Sequence, residues 1–135
     1  MSKFYRFISK SKLLQHLFPP EGQFFCVSPG GKLVSIAGLH IFKPEHPWGG
    51  VGASFGIMLL KAYYGQGLGT RLMALLEEWA RAKRLHRIFG EVRHKNYRAI
   101  ALYLKCGFEI EGIARDAACI DGEWHHEYHI SKILN

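Results

Sequence analysis

The chain has 135 residues, of which 48% are hydrophobic and 21% are charged. This length and apolar content fit one globular domain at residues 1–135 with a single core, and leave no room for a second domain. The longest apolar stretch, Phe55 to Leu60, is interrupted by Gly56 and followed by Lys61, far short of the roughly 20 residues that cross a membrane. No secretory signal follows the N-terminus, so we expect a cytoplasmic protein.

The formal net charge of +7 favours an anionic partner, either nucleic acid or a phosphorylated small molecule. The basic residues concentrate moderately at 81–87 and 93–98, but no signature of a nucleic-acid-binding module accompanies them. Three widely spaced cysteines, Cys26, Cys106 and Cys119, form no C-x-x-C pair. They predict reduced, mostly buried thiols rather than a disulfide framework or a zinc site.

The first part of the chain predicts a helix followed by a β-hairpin. Apolar residues recur at helical intervals between Phe4 and Phe18, before a pair of prolines that would stop a helix. The β-rich runs 24–28 and 33–42 flank the turn sequence Pro29-Gly30-Gly31-Lys32. After a loop at 43–50, a strand at 51–60 is expected to deliver the chain to a glycine-rich turn.

That turn is the segment Tyr63-Tyr64-Gly65-Gln66-Gly67-Leu68-Gly69-Thr70. Glycine lets the backbone turn sharply, and a helix beginning near Leu68 offers unpaired N–H groups and the positive end of its dipole, so the segment favours a phosphate. The spacing is not the Rossmann G-x-G-x-x-G, and no Lys-Ser/Thr follows as a Walker loop requires, so both nucleotide folds are disfavoured. A purely structural turn is the alternative.

The rest of the chain predicts two helices and three strands. Leu72, Leu75, Leu76 and Trp79 repeat at i, i+3, i+4 and i+7 and predict an amphipathic helix. A strand at 87–93 follows, which makes a right-handed crossover between roughly parallel strands. A short helix at 97–106 precedes two β-rich runs, 108–120 and 123–134, around the hairpin signal Asp121-Gly122. Together these elements predict a mixed α+β sheet.

Four motifs in this order resemble the GNAT superfamily of acetyl-CoA-dependent N-acetyltransferases: residues 65–72, then Glu91-Val92-Arg93 with Asn96, then 99–103, then 105–108. The resemblance runs from about Phe24 to the C-terminus. It implies a mixed, mostly antiparallel sheet with a central, splayed parallel pair and flanking helices. It also implies direct transfer of the acetyl group of acetyl-CoA to a primary amine, on a small molecule or a protein N-terminus, without a metal.

Family members usually begin with a strand and a pair of helices, whereas only about 20 residues precede the first hairpin here. The resemblance therefore implies that the first strand is missing. A sheet edge left exposed in this way would be covered by a second protomer, in a homodimer, or by an N-terminal extension.

The resemblance also implies roles for individual residues. The cofactor would be held by the backbone of Gly65, Gln66, Gly67, Leu68, Gly69 and Thr70 at the diphosphate, by Ile57, Met58 and Leu59 at the pantetheine amides, and by Asn96 at the cofactor arm. Tyr103 would protonate the departing thiolate of CoA, and Glu91 would remove a proton from the substrate ammonium, directly or through a water.

Each of these roles has a structural alternative. Core packing would explain Tyr103, a helix N-cap would explain Asn96, and a solvated strand residue or a partner for Arg93 would explain Glu91. Cys106 is expected to be a buried, inert thiol, since direct transfer needs no acyl-cysteine.

Another cluster of polar residues lies near the C-terminus. His125, Glu127 and His129 share one face of a strand, an arrangement that can bind metal but is also common on solvated faces. We expect no metal there, and Glu127 would attract a cationic amine.

Two positions depart from the family pattern. Tyr64 stands where an arginine or glutamine usually opens the glycine motif, so one cationic contact to the phosphates is missing or comes from Arg71, Arg98 or Lys105. Ser54 stands where many members carry a glutamate, which moves the base role to Glu91 or an ordered water. Two alternatives are therefore kept: a CoA-binding sensor with weak or no catalysis, and, less favoured, a basic nucleic-acid-binding domain.

Overall fold

A computed structural model describes residues 5–7, 22–27, 31–42 and 52–134. Those residues form one sheet of seven strands in the order β1-β2-β3-β4-β5-β7-β6. The strands are β1 Tyr5–Phe7, β2 Gly22–Val27, β3 Ser35–Phe42, β4 Gly52–Leu59, β5 Arg87–Arg93, β6 Glu109–Ile120 and β7 Glu123–Ile133. The helices are α1 Leu68–Ala82 and α2 Tyr97–Lys105, and a short 3-10 turn spans Lys61–Tyr63. The expected mixed sheet with flanking helices is confirmed.

Strand β1 corrects the expectation of a missing first strand. Tyr5 pairs antiparallel with Val27, and Phe7 pairs with Phe25. The backbone N–H and C=O groups at the edge of β2 need hydrogen-bond partners. Pairing with that edge overrides the helix that the spacing of the apolar residues predicts. The expected N-terminal helix is therefore wrong at residues 5–7, and its remainder lies outside the described residues. Because β1 covers the edge of β2, the argument for a second protomer at that edge is lost.

The predicted hairpins are confirmed. Strands β2, β3 and β4 pair antiparallel in sequence, as do β6 and β7. Asp121 and Gly122, between β6 and β7, both have positive φ angles, 52° and 77°. Two consecutive positive φ angles suit the right-handed twist of a tight hairpin, which explains the strength of the Asp-Gly signal.

The central parallel pair is splayed, as expected. Strands β4 and β5 pair only through Gly52 to Ser54 and Arg87 to Phe89. Beyond this point the described strands diverge, so the β5-facing edge of β4 from Phe55 to Leu59 is left without a strand partner. This gap is the feature that positions the site.

The core lies between the sheet and the two helices. Leu68, Leu72, Leu76 and Ala80 repeat every four residues along α1 and are each at most 1% exposed. They pack in one cluster with β-strand residues such as Ala53 and Ile88. Each fully buried leucine contributes about 1.5–3 kcal/mol relative to an exposed one, so the apolar stripe of α1 fixes it to this face.

Among the described residues, no helix is both long and apolar enough to span a membrane.

Candidate active site

The glycine-rich loop has the conformation that an anion site needs. Gly65 and Gly67 have φ angles of 76° and 78°, and a Cβ added at either position would meet no atom within 4 Å. Gly67 is the N-cap of α1, and no side chain caps the first turn of that helix. The first N–H groups of α1 therefore face open space together with the positive end of the helix dipole.

A first cavity of about 430 Å³ extends from this loop along β4 and α2. It is lined by Ile57, Leu59, Tyr64, Gly65, Gly67, Gly69, Thr70, Asn96, Arg98, Ala99, Ala101, Leu102, Tyr103 and Lys105. A Cβ at Gly69 would lie 2.8 Å from the side chain of Leu102, so this glycine permits the close approach of the two helices.

Three residues expected at the cofactor do not line this cavity. Leu68 is 1% exposed and belongs to the core, whereas the side chain of Met58 is 71% exposed. Gln66 is exposed in the loop. The carbonyl of Met58 accepts a hydrogen bond from Ser35 Oγ at 3.0 Å, on the β3 side of the strand. Since backbone groups alternate in direction along a strand, those of Ile57 and Leu59 point to the gap.

Asn96 and Tyr103 approach the cavity from α2. Asn96 Oδ1 accepts a hydrogen bond from the backbone N–H of Ala99 at 3.2 Å and so caps the helix. Asn96 also lines the cavity. Tyr103 is 6% exposed, and its ring meets the ring of Phe55 edge to face, with centroids 5.2 Å apart. Burial raises the pKa of Tyr103 to about 12, so its phenol keeps its proton at neutral pH.

The charge of the first cavity is positive. Its lining by described residues includes Arg98 and Lys105 and no carboxylate. The guanidinium carbon of Arg98 lies 4.7 Å from the centroid of the Tyr64 ring. Helix dipole, loop amides and two cations together suit a phosphorylated ligand.

A second cavity, of about 580 Å³, opens on the sheet face away from α1 and α2. It is lined by Ser54, Phe55, Arg87, Phe89, Gly90, Glu91, Glu111 and His129. In β5, Ile88 and Val92 are buried on the helix side, so Arg87, Phe89 and Glu91 alternate to the opposite side. Phe55 borders both cavities, because it lines the second and its ring contacts Tyr103 of the first.

An ion pair neutralises Arg87, the one arginine among the described residues that line the second cavity. Arg87 donates to both carboxylate oxygens of Glu111, at 2.7 and 2.5 Å, and Ser131 Oγ donates to the same carboxylate at 2.7 Å. The hydrogen bond from Arg87, followed by that from Ser131, lowers the pKa of Glu111 to about 2. Because the charges of Arg87 and Glu111 cancel, the carboxylate of Glu91 gives the cavity a net negative charge.

Glu91 also has a carboxyl neighbour. Strand β7 places His129 opposite Glu91 and Glu127 opposite Arg93. A hydrogen bond with Glu91, followed by burial, raises the pKa of Glu127. Among the described residues, no group of three or more His, Cys, Asp or Glu side chains has the arrangement needed to hold a metal ion.

The cysteines are less buried than expected. Cys119 is exposed and Cys106 is half-buried, while the side chain of Cys26 lies outside the described part of the structure. Burial raises the pKa of the Cys106 thiol, which disfavours the nucleophilic thiolate.

Sequence reasoning missed two features of the site: Phe55 and the Arg87–Glu111 pair. The alternation of β4 was the available signal for Phe55, since it puts that residue on the same face as Ala53 and Ile57. Arg87 and Glu111 are 24 residues apart, and they lie on β5 and β6 with β7 between them. No local pattern signals such a contact.

Comparison with known proteins identifies the family. The model of the acetyltransferase (GNAT) family matches residues 2–108 of this chain. The chain therefore belongs to the GNAT family, and the sequence-based expectation of that family is confirmed.

Two bacterial relatives are similar over part of their length. The probable N-acetyltransferase YjcK of Bacillus subtilis (strain 168) is 36% identical over 84 residues, which cover 62% of this chain and 46% of that protein. The N-alpha-acetyltransferase RimI of Mycobacterium tuberculosis is 32% identical over 101 residues, covering 75% of this chain and 61% of that protein. This chain thus spans less than two thirds of the length of either relative.

Solved structures share the fold. An acetyltransferase of the GNAT family from Streptococcus pneumoniae has a TM-score of 0.76 and 28% identity, with 84% of this chain and 67% of that chain covered. The putative acetyltransferase YncA of Salmonella typhimurium, solved with its cofactor acetyl-CoA, has a TM-score of 0.76 and 17% identity, with 91% and 69% covered. The second likeness is evidence for the fold alone.

Proposed function

We propose that this protein is an N-acetyltransferase that binds acetyl-CoA in the first cavity and a primary amine in the second. One observation carries the proposal: a positive and a negative cavity lie on opposite faces of the sheet and adjoin at the gap between β4 and β5, where Phe55 lines the negative cavity and its ring contacts Tyr103 of the positive one. A phosphorylated donor and a cationic acceptor would each find opposite charge on its own side. Membership of the GNAT family supports this assignment.

The donor would be held mainly by backbone groups. The amides of Gly65 to Thr70 would bind the diphosphate, since the loop and the uncapped start of α1 present them to open space. The edge of β4 at Ile57 and Leu59 would hydrogen-bond the pantetheine amides in place of the absent strand partner. Asn96 would contact the arm from the other side while it caps α2.

The reaction would be a direct attack. The amine nitrogen bonds to the thioester carbonyl carbon, the carbon–sulfur bond breaks, and the sulfur leaves with the electron pair. Tyr103, protonated at neutral pH, donates its proton to that thiolate, and the second proton, which the nitrogen loses as the amide forms, returns to Tyr103 and restores the phenol. Glu91 accepts the proton of the substrate ammonium, directly or through a water, and lies beside Glu127, whose pKa its hydrogen bond raises.

The acceptor proposed here is a primary amine that arrives as a cation. A protein N-terminus is the first class to test, because the RimI relative is by name an N-alpha-acetyltransferase. Small-molecule amines form the second class. We further propose that residues 1–135 act as a single domain, since the described residues share one sheet and one core. Cytoplasmic location and a homodimer stay predictions.

The alternative of a CoA-binding sensor is retained on the observations at Tyr64 and Ser54. A sensor would bind acetyl-CoA as tightly as an enzyme and release CoA with no acceptor. Screening peptides with different first residues and a panel of small amines for CoA release therefore separates the two. Turnover with any acceptor supports the enzyme, and binding without turnover across both classes supports the sensor.

Calorimetric titration of acetyl-CoA tests the donor site itself. We expect micromolar binding by the wild-type protein and none by Gly67→Trp, because an indole at Gly67 would occupy the open space at the loop. Thermal unfolding of the variant controls for its folding, since Gly67 has a positive φ. Equal binding by a folded Gly67→Trp variant would reject the loop as the donor site.

A further inference from the structure

We infer that Arg98, held against the ring of Tyr64, is the side-chain cation that binds a phosphate group of the donor. This inference rests on the proposed donor site. It accounts for the tyrosine at the start of the glycine loop, where the family usually has an arginine or glutamine, by placing the missing cation on α2 instead.

The two side chains form a unit at the loop. Tyr64 is adjacent to Gly65, the first residue of the loop, and Arg98 lies in the first turn of α2. Both residues line the first cavity, and the guanidinium lies 4.7 Å from the ring centroid. The contact with the Tyr64 ring thus places the positive charge of Arg98, a residue of α2, next to the amides of the loop.

A guanidinium that stacks on an aromatic ring is well placed to bind phosphate. A guanidinium on an aromatic face keeps the N–H donors of its edge free, and these match the oxygens of a phosphate in a two-point contact. The ring also restricts the side chain before the ligand arrives, which reduces the conformational entropy lost on binding. Within the described part of the chain, no carboxylate lines the cavity to neutralise the charge of Arg98.

The rival cation in the same cavity is Lys105. It lies at the end of α2 and also borders a smaller cavity with Thr70 and Cys106. Two observations favour Arg98: its guanidinium makes a cation–π contact with Tyr64, and Tyr64 directly precedes the loop in the sequence. The lysine ammonium is a point charge without the planar donor edge of a guanidinium.

The test measures the dissociation constant of acetyl-CoA by calorimetry for wild type, Arg98→Gln and Lys105→Gln. Arg98→Gln is expected to weaken binding about tenfold or more, the loss typical of a charge-assisted contact. Arg115→Gln, at an exposed site on β6, lowers the net charge equally and is the control. Binding by Arg98→Gln equal to that of wild type, or a larger loss at Lys105→Gln, would overturn the inference.

Substitutions of Tyr64 test the role of the ring. Tyr64→Phe keeps the aromatic face and is expected to bind as wild type, whereas Tyr64→Leu is expected to lose several-fold in affinity. In the background of Arg98→Gln, Tyr64→Leu should add little, since the two residues act together. Additive losses would show that the ring acts independently of the arginine and would reject the unit.

Truncated donors identify the group that Arg98 binds. Acetyl-dephospho-CoA lacks the 3′-phosphate, and acetyl-pantetheine lacks the diphosphate as well. The effect of Arg98→Gln should vanish with the first donor if the 3′-phosphate is the partner, or only with the second if the diphosphate is. An equal loss on acetyl-pantetheine would contradict a phosphate contact.

The outcomes separate this inference from the proposed function. Failure of the wild-type protein to bind acetyl-CoA would reject the donor site and the inference with it. Binding by wild type that Arg98→Gln leaves unchanged would reject the inference alone. Thermal unfolding of each variant confirms that the compared proteins are folded.

Discussion

At the scale of residues, Tyr103 combines a structural task with the chemical task proposed for it. Its ring is buried against Phe55, and its hydroxyl group is available as a proton donor at neutral pH. Because phenylalanine keeps the ring and removes only the hydroxyl group, the two tasks can be separated by one substitution.

We predict that Tyr103→Phe lowers kcat about 100-fold or more, the lower range for loss of a general acid, while the KM for acetyl-CoA changes little. The melting temperature should stay near that of wild type, since the aromatic packing is retained. Steady-state kinetics and thermal unfolding measure both. An unchanged kcat would leave Tyr103 with a packing role only.

The carboxyl pair Glu91–Glu127 would make binding of the proposed acceptor depend on pH. Its hydrogen bond with Glu91 raises the pKa of Glu127 above 4.5, so Glu127 is neutral at low pH and gains its charge as the pH rises through the raised pKa. The free energy of unfolding depends on pH in the opposite direction. Protonation of Glu127 stabilises the folded protein most below pH 4.5, and this stabilisation is lost as the pH rises through the raised pKa.

We predict that kcat/KM for a cationic acceptor rises as the pH increases above 4.5, in part because Glu127 becomes charged. Glu127→Gln keeps a hydrogen-bond donor for Glu91 but cannot titrate, so the pH profile should lose this component. A neutral hydroxylamine-type acceptor is the control, since its binding gains nothing from the charge. Identical profiles for wild type and Glu127→Gln would show that Glu127 does not act on the acceptor.

At the scale of elements, the Phe55 ring of β4 closely approaches Gly90 of β5 at the gap between these strands. A Cβ at Gly90 would lie 2.7 Å from the nearest ring atom of Phe55, so the ring lies over Gly90 and fills the point where the strands separate. The same ring contacts Tyr103 and Phe108. A side chain at Gly90 would therefore shift the residue shared by the two cavities.

We predict that Gly90→Ala destabilises the protein by about 1–3 kcal/mol and lowers kcat through the displaced ring. Gly56→Ala, on β4, is the matched control, because a Cβ there meets no atom within 4 Å. Thermal unfolding and kinetics of both variants measure the effect. Phe55→Leu should partly rescue Gly90→Ala, and the absence of rescue would point to a backbone cause instead.

The elements also differ in how far the sequence could predict them. Helix α1 was predictable because Leu72 and Leu76 carry a strong apolar period, and both are buried. Strand β1 was not, because three residues are too few to carry a period and the partner edge of β2 selects the structure. The Arg87–Glu111 pair depends on the strand order β5-β7-β6, which no local pattern encodes.

The candidate site was predictable to the level of segments. The glycine motif and the motifs of α2 identified Gly65, Gly67, Gly69, Asn96 and Tyr103, all of which line the first cavity. The contributions of individual residues were less accessible: the alternation of β4 directs Met58 away from the cavity, and its stacking on Tyr64 gives Arg98 a position that spacing alone could not reveal.

At the scale of the whole molecule, the net charge of +7 has two interpretations, a phosphorylated small ligand or nucleic acid. They differ in where the charge acts. A phosphorylated donor would use the first cavity, with Arg98 and Lys105, whereas nucleic acid would need cations spread along a surface.

We predict that acetyl-CoA at 100 times its dissociation constant stabilises the folded protein by about 2.7 kcal/mol, which raises Tm by about 10 °C for a chain of this size. Duplex DNA or RNA at equal phosphate concentration should raise Tm by far less, and any shift should disappear at high salt. Thermal unfolding of wild type and Arg98→Gln with each ligand measures this. A salt-dependent shift with nucleic acid that exceeds the one with acetyl-CoA would favour the nucleic-acid function, because a ligand that binds only the folded state stabilises it by an amount that increases with its concentration relative to its dissociation constant.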